Sequence, residues 1–419
     1  MFSVKMNGTF EILVNYTTGM GSYAVVLADF NDDNKLDLAV TNYDNNTVSV
    51  LLGMGNGFFQ NPVIYQVREQ PRSLVSNDFN YDGTLDLIVL NRGNNSISVL
   101  FGNGDGLFQN SVDYYLNARP RSLITGDFNN DKNMDLAIIN GPENTFTVLI
   151  GLSNGIFQAP MNYKVGRNPN FVISHDFNND SKLDLAVTNT GSNTISVLLG
   201  NSYGTFQAPI HYNIGSRPTC IISCDLHNDN KLDLVVTNYE GKSINPYMVL
   251  SNDFNNDGKF DLALLSNTDD VVQILLNYGN GTFQIPMDYQ VGRAPIGLIS
   301  SDFNNDNEQD LAPIHTNDSN VHVMFGYGDG LFQSSLRYPI KSKPFFITTA
   351  DLNNDRRSDL IITNRDTNEL SVFVNFCKKL VIYSLAYSQK DFTLCISPPP
   401  LPRLILFFLD MYRLVFFFE

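Results

Sequence analysis

The residues best equipped for chemistry in this chain are aspartates at fixed offsets. A nine-residue segment with polar side chains at positions 1, 3, 5 and 9 occurs eight times. The copies are Asp29, Asn31, Asp33 and Asp37; Asp78, Asn80, Asp82 and Asp86; Asp127, Asn129, Asp131 and Asp135; Asp176, Asn178, Asp180 and Asp184; Asp225, His227, Asp229 and Asp233; Asp253, Asn255, Asp257 and Asp261; Asp302, Asn304, Asp306 and Asp310; and Asp351, Asn353, Asp355 and Asp359. Calcium takes about six to eight oxygen ligands, mixing carboxylates, amides, carbonyls and water, and such a loop supplies them when the carbonyl of position 7 is added. A turn is satisfied by one Asp or Asn. A carboxylate kept at position 9 in every copy has no use in a turn, so the spacing predicts Ca2+ loops. The fifth should be the weakest, because His227 puts an imidazole where the others put an oxygen. Position 6 needs a left-handed backbone, which suits Gly83, Gly258, Asn34, Asn230 and Asn307 better than Lys132, Ser181 and Arg356.

The carboxylates at positions 1, 5 and 9 make up 24 of the 43 acidic residues, and with 27 basic residues the formal net charge is −16. Eight Ca2+ ions would formally cancel it. Crowded carboxylates repel one another without a cation, so calcium is expected to stabilise the fold. The same acidity argues against nucleic acid, whose phosphates would be repelled.

The elements that position these loops follow from their spacing. The opening aspartates lie 49 residues apart in six of seven intervals and 28 apart between Asp225 and Asp253. In the second unit, runs of alternating or β-branched residues (73–79, 85–90, 96–101 and 112–116) are separated by Asn/Gly-rich turns, which reads as four short strands. With no tryptophan and no sustained helical period, the expected fold is an all-β β-propeller of four-stranded antiparallel blades, not of the WD type. The segment Asn7-Gly8-Thr9-Phe10 followed by Tyr16 matches Asn280-Gly281-Thr282-Phe283 followed by Tyr289. The N-terminus thus supplies an outermost strand, and the last unit stops after its third. The expectation is seven full blades plus one truncated two-stranded blade, closed by pairing of the N-terminal strand with the last blade, which leaves no open edge there. The fifth unit lacks 21 residues, its third and fourth strands, and should pack most weakly. The propeller is expected over 1–376. The remainder, 377–419, is an irregular apolar tail whose runs are too short for a span of about 20 residues, so membrane association stays open.

With these repeats the chain resembles the FG-GAP/VCBS repeat family, whose blades are similar to those of integrin α subunits. Phe101-Gly102 and Phe325-Gly326, with Ala159-Pro160 and Ala208-Pro209, carry the motif. The resemblance implies calcium loops between the first and second strands of a blade and an extracellular or cell-surface role in adhesion, with a protein or glycan ligand. Seven Asn-x-Ser/Thr sequons (at Asn7, Asn15, Asn45, Asn94, Asn179, Asn280 and Asn317) permit a glycoprotein, although the first residues carry no apolar leader run. Cys220 and Cys224 sit four apart on one strand, about 13 Å, too far for a disulfide. The five histidines form no shared motif, and the Gly-x-Gly turns recur once per blade. No catalytic constellation stands out, so the chain is expected not to be an enzyme. A propeller appended to a larger secreted enzyme, or a structural spacer without a ligand, is the alternative. Basic residues close to prolines lead into the first strands: Arg72, Arg119, Arg121, Arg167, Arg217, Arg293 and Lys343. They either balance an acidic surface or form a ring for an anionic ligand opposite the calcium loops. Channel-facing residues that differ from blade to blade would favour a ligand site, and uniform ones a spacer.

Overall fold

The computed structural model describes residues 10–240, 245–340 and 343–375. Every regular element among them is a β-strand. In six units a strand of seven residues enters the acidic loop and is followed by three antiparallel neighbours. The second unit runs Pro71–Asn77, Asp86–Asn91, Ser96–Leu100 and Val112–Tyr115. The inner strand thus starts at the proline, two residues earlier than alternation indicates, because Pro71 still pairs with Asn91 across a bulge. Seven sheets have four strands, and the fifth unit has two, Pro218–Cys224 and Asp233–Asn238. The last blade is Pro344–Ala350, Asp359–Asn364 and Glu369–Asn375, completed by Phe10–Thr17, which runs antiparallel to Glu369–Asn375 from Phe10 opposite Asn375 to Thr17 opposite Glu369.

The inner strands touch their neighbours in sequence all the way round, including Pro344–Ala350 against Ser22–Ala28. The truncated unit holds a regular place in the ring, since Pro218–Cys224 contacts both Pro169–His175 and Pro246–Asn252. Second strands such as Asp37–Asn42 and Asp86–Asn91 are buried along their whole length because blades cover both faces, whereas outer strands such as Val63–Gln66 are mostly exposed. Packing forms one apolar cluster per blade interface. Six clusters hold nine to twelve buried residues each. The two flanking the fifth unit hold five and three, the thin packing expected of a two-stranded blade.

Two polar devices tie the blades together. The outer-strand Tyr65 hydroxyl accepts the N–H of Phe108 in the next blade at 3.1 Å, and Tyr163 and Tyr289 do the same for Phe206 and Phe332. Tyr16, on the N-terminal strand, takes the N–H of Phe59 at 2.9 Å and so repeats the stitch across the closure. Within blades, an Asn ending the second strand donates to a Ser or Thr in the third: Asn42 to Ser49, Asn91 to Ser98, Asn140 to Thr147, Asn189 to Ser196 and Asn364 to Ser371. The seventh blade replaces this pair with His315 and His322, fully buried rings whose centroids lie 4.3 Å apart. The 377–419 tail lies outside the described residues.

Candidate functional site

The acidic loops connect first to second strands, at the end of the inner strands away from their prolines. All eight share one hydrogen-bond plan. The position-1 carboxylate accepts the N–H groups of positions 5 and 6; for Asp78 these are Asp82 at 3.2 Å and Gly83 at 2.9 Å. Position 5 takes the N–H of position 7, as Asp82 does from Thr84 at 2.8 Å. Position 6 is left-handed in every loop, including Lys132 (φ 73), Ser181 (φ 64) and Arg356 (φ 65), where a side chain makes that backbone costly.

The position-9 aspartate is a structural anchor. In the seven full blades one oxygen accepts the N–H of position 2 and the other an N–H just past the third strand; for Asp86 these are Phe79 at 3.0 Å and Gly102 at 2.8 Å. Burial raises the carboxyls of Asp86, Asp135 and Asp261 to about 6, of Asp359 to about 7 and of Asp310 to about 8, working against these donors and reinforced by the carboxylates at positions 5 and 1. Asp233 has no third strand beside it and takes instead the N–H of Leu226 and the imidazole of His227, both on one oxygen.

As a cation site the loops have a suitable donor set: seven present oxygens only, and His227 breaks the pattern in the fifth. Position 5 already meets a positive charge in four loops, where Lys35, Lys182, Lys231 and Lys259 approach Asp33, Asp180, Asp229 and Asp257 at 2.9 to 3.5 Å. The Lys35 and Lys182 hydrogen bonds hold their partners' carboxyls below the usual range. Among the described residues no three carboxylate, imidazole or thiolate groups converge on one point.

At the other end of the inner strands a cavity of about 690 Å³ opens on the axis. Its rim is the residue six places before each loop: Tyr23, Arg72, Arg121, Asn170, Thr219, Tyr247, Ile296 and Phe345. The eight positions are equivalent by repeat and differ in chemistry. Arg72 and Arg121 are adjacent and half-buried, and neither pairs with a carboxylate among the described residues. The Arg72 guanidinium lies 5.6 Å from the Tyr23 ring, and Arg121 donates to Asn168 at 3.1 Å. Burial, then the charges of Arg72 and Arg92, push the Arg121 guanidinium below its usual value. Among the described residues no carboxylate lines the cavity, and its wall also carries Tyr247, Ile296, Phe345 and Phe346. Arg119, Arg167, Arg217, Arg293 and Lys343 are exposed and lie outside the lining. Arg217 is engaged by Glu240 at 3.3 Å and the Tyr239 ring at 5.1 Å. The structure therefore brings two of the seven basic residues together at the cavity, with aromatics that proximity to proline does not reveal. The signal that finds them is the repeat register itself. Cys220 also lines the cavity and, with Cys224, is a free buried thiol; burial raises both.

The FG-GAP-like repeat pattern matches residues 29–89, 78–138, 176–236, 253–312 and 302–362. No curated protein matches the chain. Among solved structures, BBS1N in complex with ARL6DN is similar in fold: the mercury-soaked crystal is 11% identical with a TM-score of 0.52, over 86% of this chain and 94% of that one. The lead-soaked crystal gives 0.51 at the same identity and coverage. A lectin of Agrocybe aegerita, described for recognition of non-reducing terminal N-acetylglucosamine, is 15% identical over 83% of this chain and 86% of its own, with a TM-score of 0.46. At these identities the likeness concerns the fold alone.

Proposed function

Since the chain belongs to the FG-GAP-like repeat family and folds as a closed propeller, we propose that it is a ligand-binding module of the cell surface or extracellular space, not an enzyme. Its axial cavity takes an acidic group of a protein or glycan, and its opposite face is stiffened by calcium. One observation carries this reading: eight repeat-equivalent rim positions hold six residue types, from arginine to phenylalanine, whereas a spacer has no reason to diversify them. Arg72 and Arg121 offer paired donors free of carboxylate partners, suited to a carboxylate or sulfate. Tyr23, Tyr247 and Phe345 offer the adjoining apolar or sugar-stacking surface.

The test is an array of acidic and neutral glycans and acidic peptides. Arg72→Glu with Arg121→Glu is expected to abolish the binding of acidic ligands, while Arg167→Glu with Arg293→Glu leaves it in place. Equal binding by all three proteins would overturn the cavity assignment. For calcium, the all-oxygen donor sets support structural loops in seven units. Chelation is expected to lower the melting temperature, since each site held at about 100 times its Kd contributes about 2.7 kcal/mol. An unchanged melting curve in EDTA would remove calcium from the reading.

A further inference from the structure

Among the described residues the truncated fifth unit leaves a strand-shaped gap, and we propose that this gap is a docking slot for an extended peptide of another protein, which adds itself as the missing third strand. The free edge is Asp233–Asn238. In the other units the equivalent strand is buried throughout or nearly so, whereas here Leu234, Val235 and Val236 are only half-buried. The walls are open to match. On the fourth blade Val197 and Phe177 are half-buried although their counterparts, such as Val148 and Phe128, are buried, and on the sixth blade Phe283 is half-buried where Phe206 and Phe332 are buried. Tyr212, the fourth blade's counterpart of the stitching tyrosines, stands 50% exposed without a next-blade N–H. Among the described residues three polar groups therefore lack a partner that sister blades supply: the Tyr212 hydroxyl, the second oxygen of Asp233, and the side-chain amide of Asn238, which has no third-strand hydroxyl to donate to as Asn189 has in Ser196.

The sister blades specify the occupant. In the fourth blade Asn189, Thr188, Val187, Ala186 and Leu185 face Thr194, Ile195, Ser196, Val197 and Leu198 in that order, and the Gly200 N–H reaches Asp184 at 2.8 Å. The same register on the free edge sets Thr, an apolar residue, Ser or Thr, Val and Leu opposite Asn238, Thr237, Val236, Val235 and Leu234. The third residue then accepts from Asn238, and the N–H two residues past the last pair reaches Asp233. Main-chain bonds hold such a strand, and alternate side chains fill the two walls. The flanking blades extend two strands past this edge, so it lies about 10 Å inside the rim at about 4.8 Å per strand. That depth admits a single extended chain and keeps out the flat sheet edge of a second copy.

The probe is a fluorescent peptide copying Thr194–Asn201, titrated into the full chain by anisotropy. Saturable binding is expected, weakened at least tenfold by scrambling the peptide or by proline at its fourth position. A chain carrying a 21-residue insertion that restores third and fourth strands to the fifth unit is expected to melt higher and to bind the peptide at least tenfold more weakly; its own melting curve shows that it folds. Absence of saturable binding, equal binding of the scrambled peptide, or undiminished binding by the refilled chain would overturn the proposal. A dimer in sedimentation that the peptide dissociates would assign the slot to a second copy and overturn it as well.

Discussion

Consider alanine at the ninth loop position of two repeats, Asp86 and Asp233. By sequence the sites are equivalent; by structure they differ in how many buried donors they satisfy. Asp86 is fully buried and takes the N–H groups of Phe79 (3.0 Å) and Gly102 (2.8 Å). Alanine leaves both without an acceptor, at about 1–3 kcal/mol each, so about 2–6 kcal/mol in total, less whatever is regained by no longer burying a charge beside Asp82 and Asp78. Asp233 is half-buried and holds one backbone N–H, that of Leu226 at 3.0 Å, and the exposed His227 ring. Its loss should cost about 1–2 kcal/mol. Urea unfolding in excess EDTA isolates the hydrogen bonds from metal binding, and the two variants should differ by about 1–3 kcal/mol in the same buffer, the cost of the one extra buried donor. Losses equal within about 0.5 kcal/mol would refute the view that position 9 serves the backbone first.

Other outcomes follow from single residues. Burial lowers His315 from its ordinary value to about 3 and also lowers His322, with Asp318 and Arg337 the charged groups nearby. The unfolded chain therefore binds more protons between pH 6.5 and about 3, and this blade's stability is intact above 6.5 and lost as pH falls, by about 1 kcal/mol per unit. The double change His315→Asn with His322→Ser, which copies the sister blades, should flatten urea midpoints between pH 5 and 7. Gly83 (φ 86) has open space around a would-be Cβ, so Gly83→Ala should cost about 1 kcal/mol from backbone strain alone, and Lys132→Gly (φ 73) should gain about 0.5–1 kcal/mol; melting curves check both. Tyr16→Phe removes the acceptor for the Phe59 N–H across the closure and should cost about 1 kcal/mol, read as faster unfolding after a urea jump.

The blades were legible because their signals are local and repeated: Asp86-Leu87 opens the second strand, Asn94-Asn95 turns it, and the 49-residue period multiplies each clue. The N-terminal strand was legible through the likeness of Asn7–Phe10 to Asn280–Phe283. The cavity was much less so. Tyr23, Arg72, Ile296 and Phe345 share no type, lie one repeat or more apart, and meet only because a ring returns to its start. Reading basic residues near prolines found Arg72 and Arg121 and, with equal weight, Arg217, which turns outward to Glu240. The two buried histidines looked unrelated because they were compared with each other; aligned with Asn91 and Ser98 they occupy a shared interior pair.

Closure has a consequence in time. Phe10–Thr17 pairs with Glu369–Asn375, and Gly21 donates to Asn368, so this strand leaves the ribosome about 350 residues before its partner. At roughly 5–20 residues per second this is a wait of tens of seconds. During that interval Tyr16 has no Leu370 opposite it, and each finished blade still exposes one flank to the next arrival. Synthesis thus proceeds as an open arc that becomes a ring in one late event. Whatever holds the N-terminal strand until then governs how much of the chain is delivered closed.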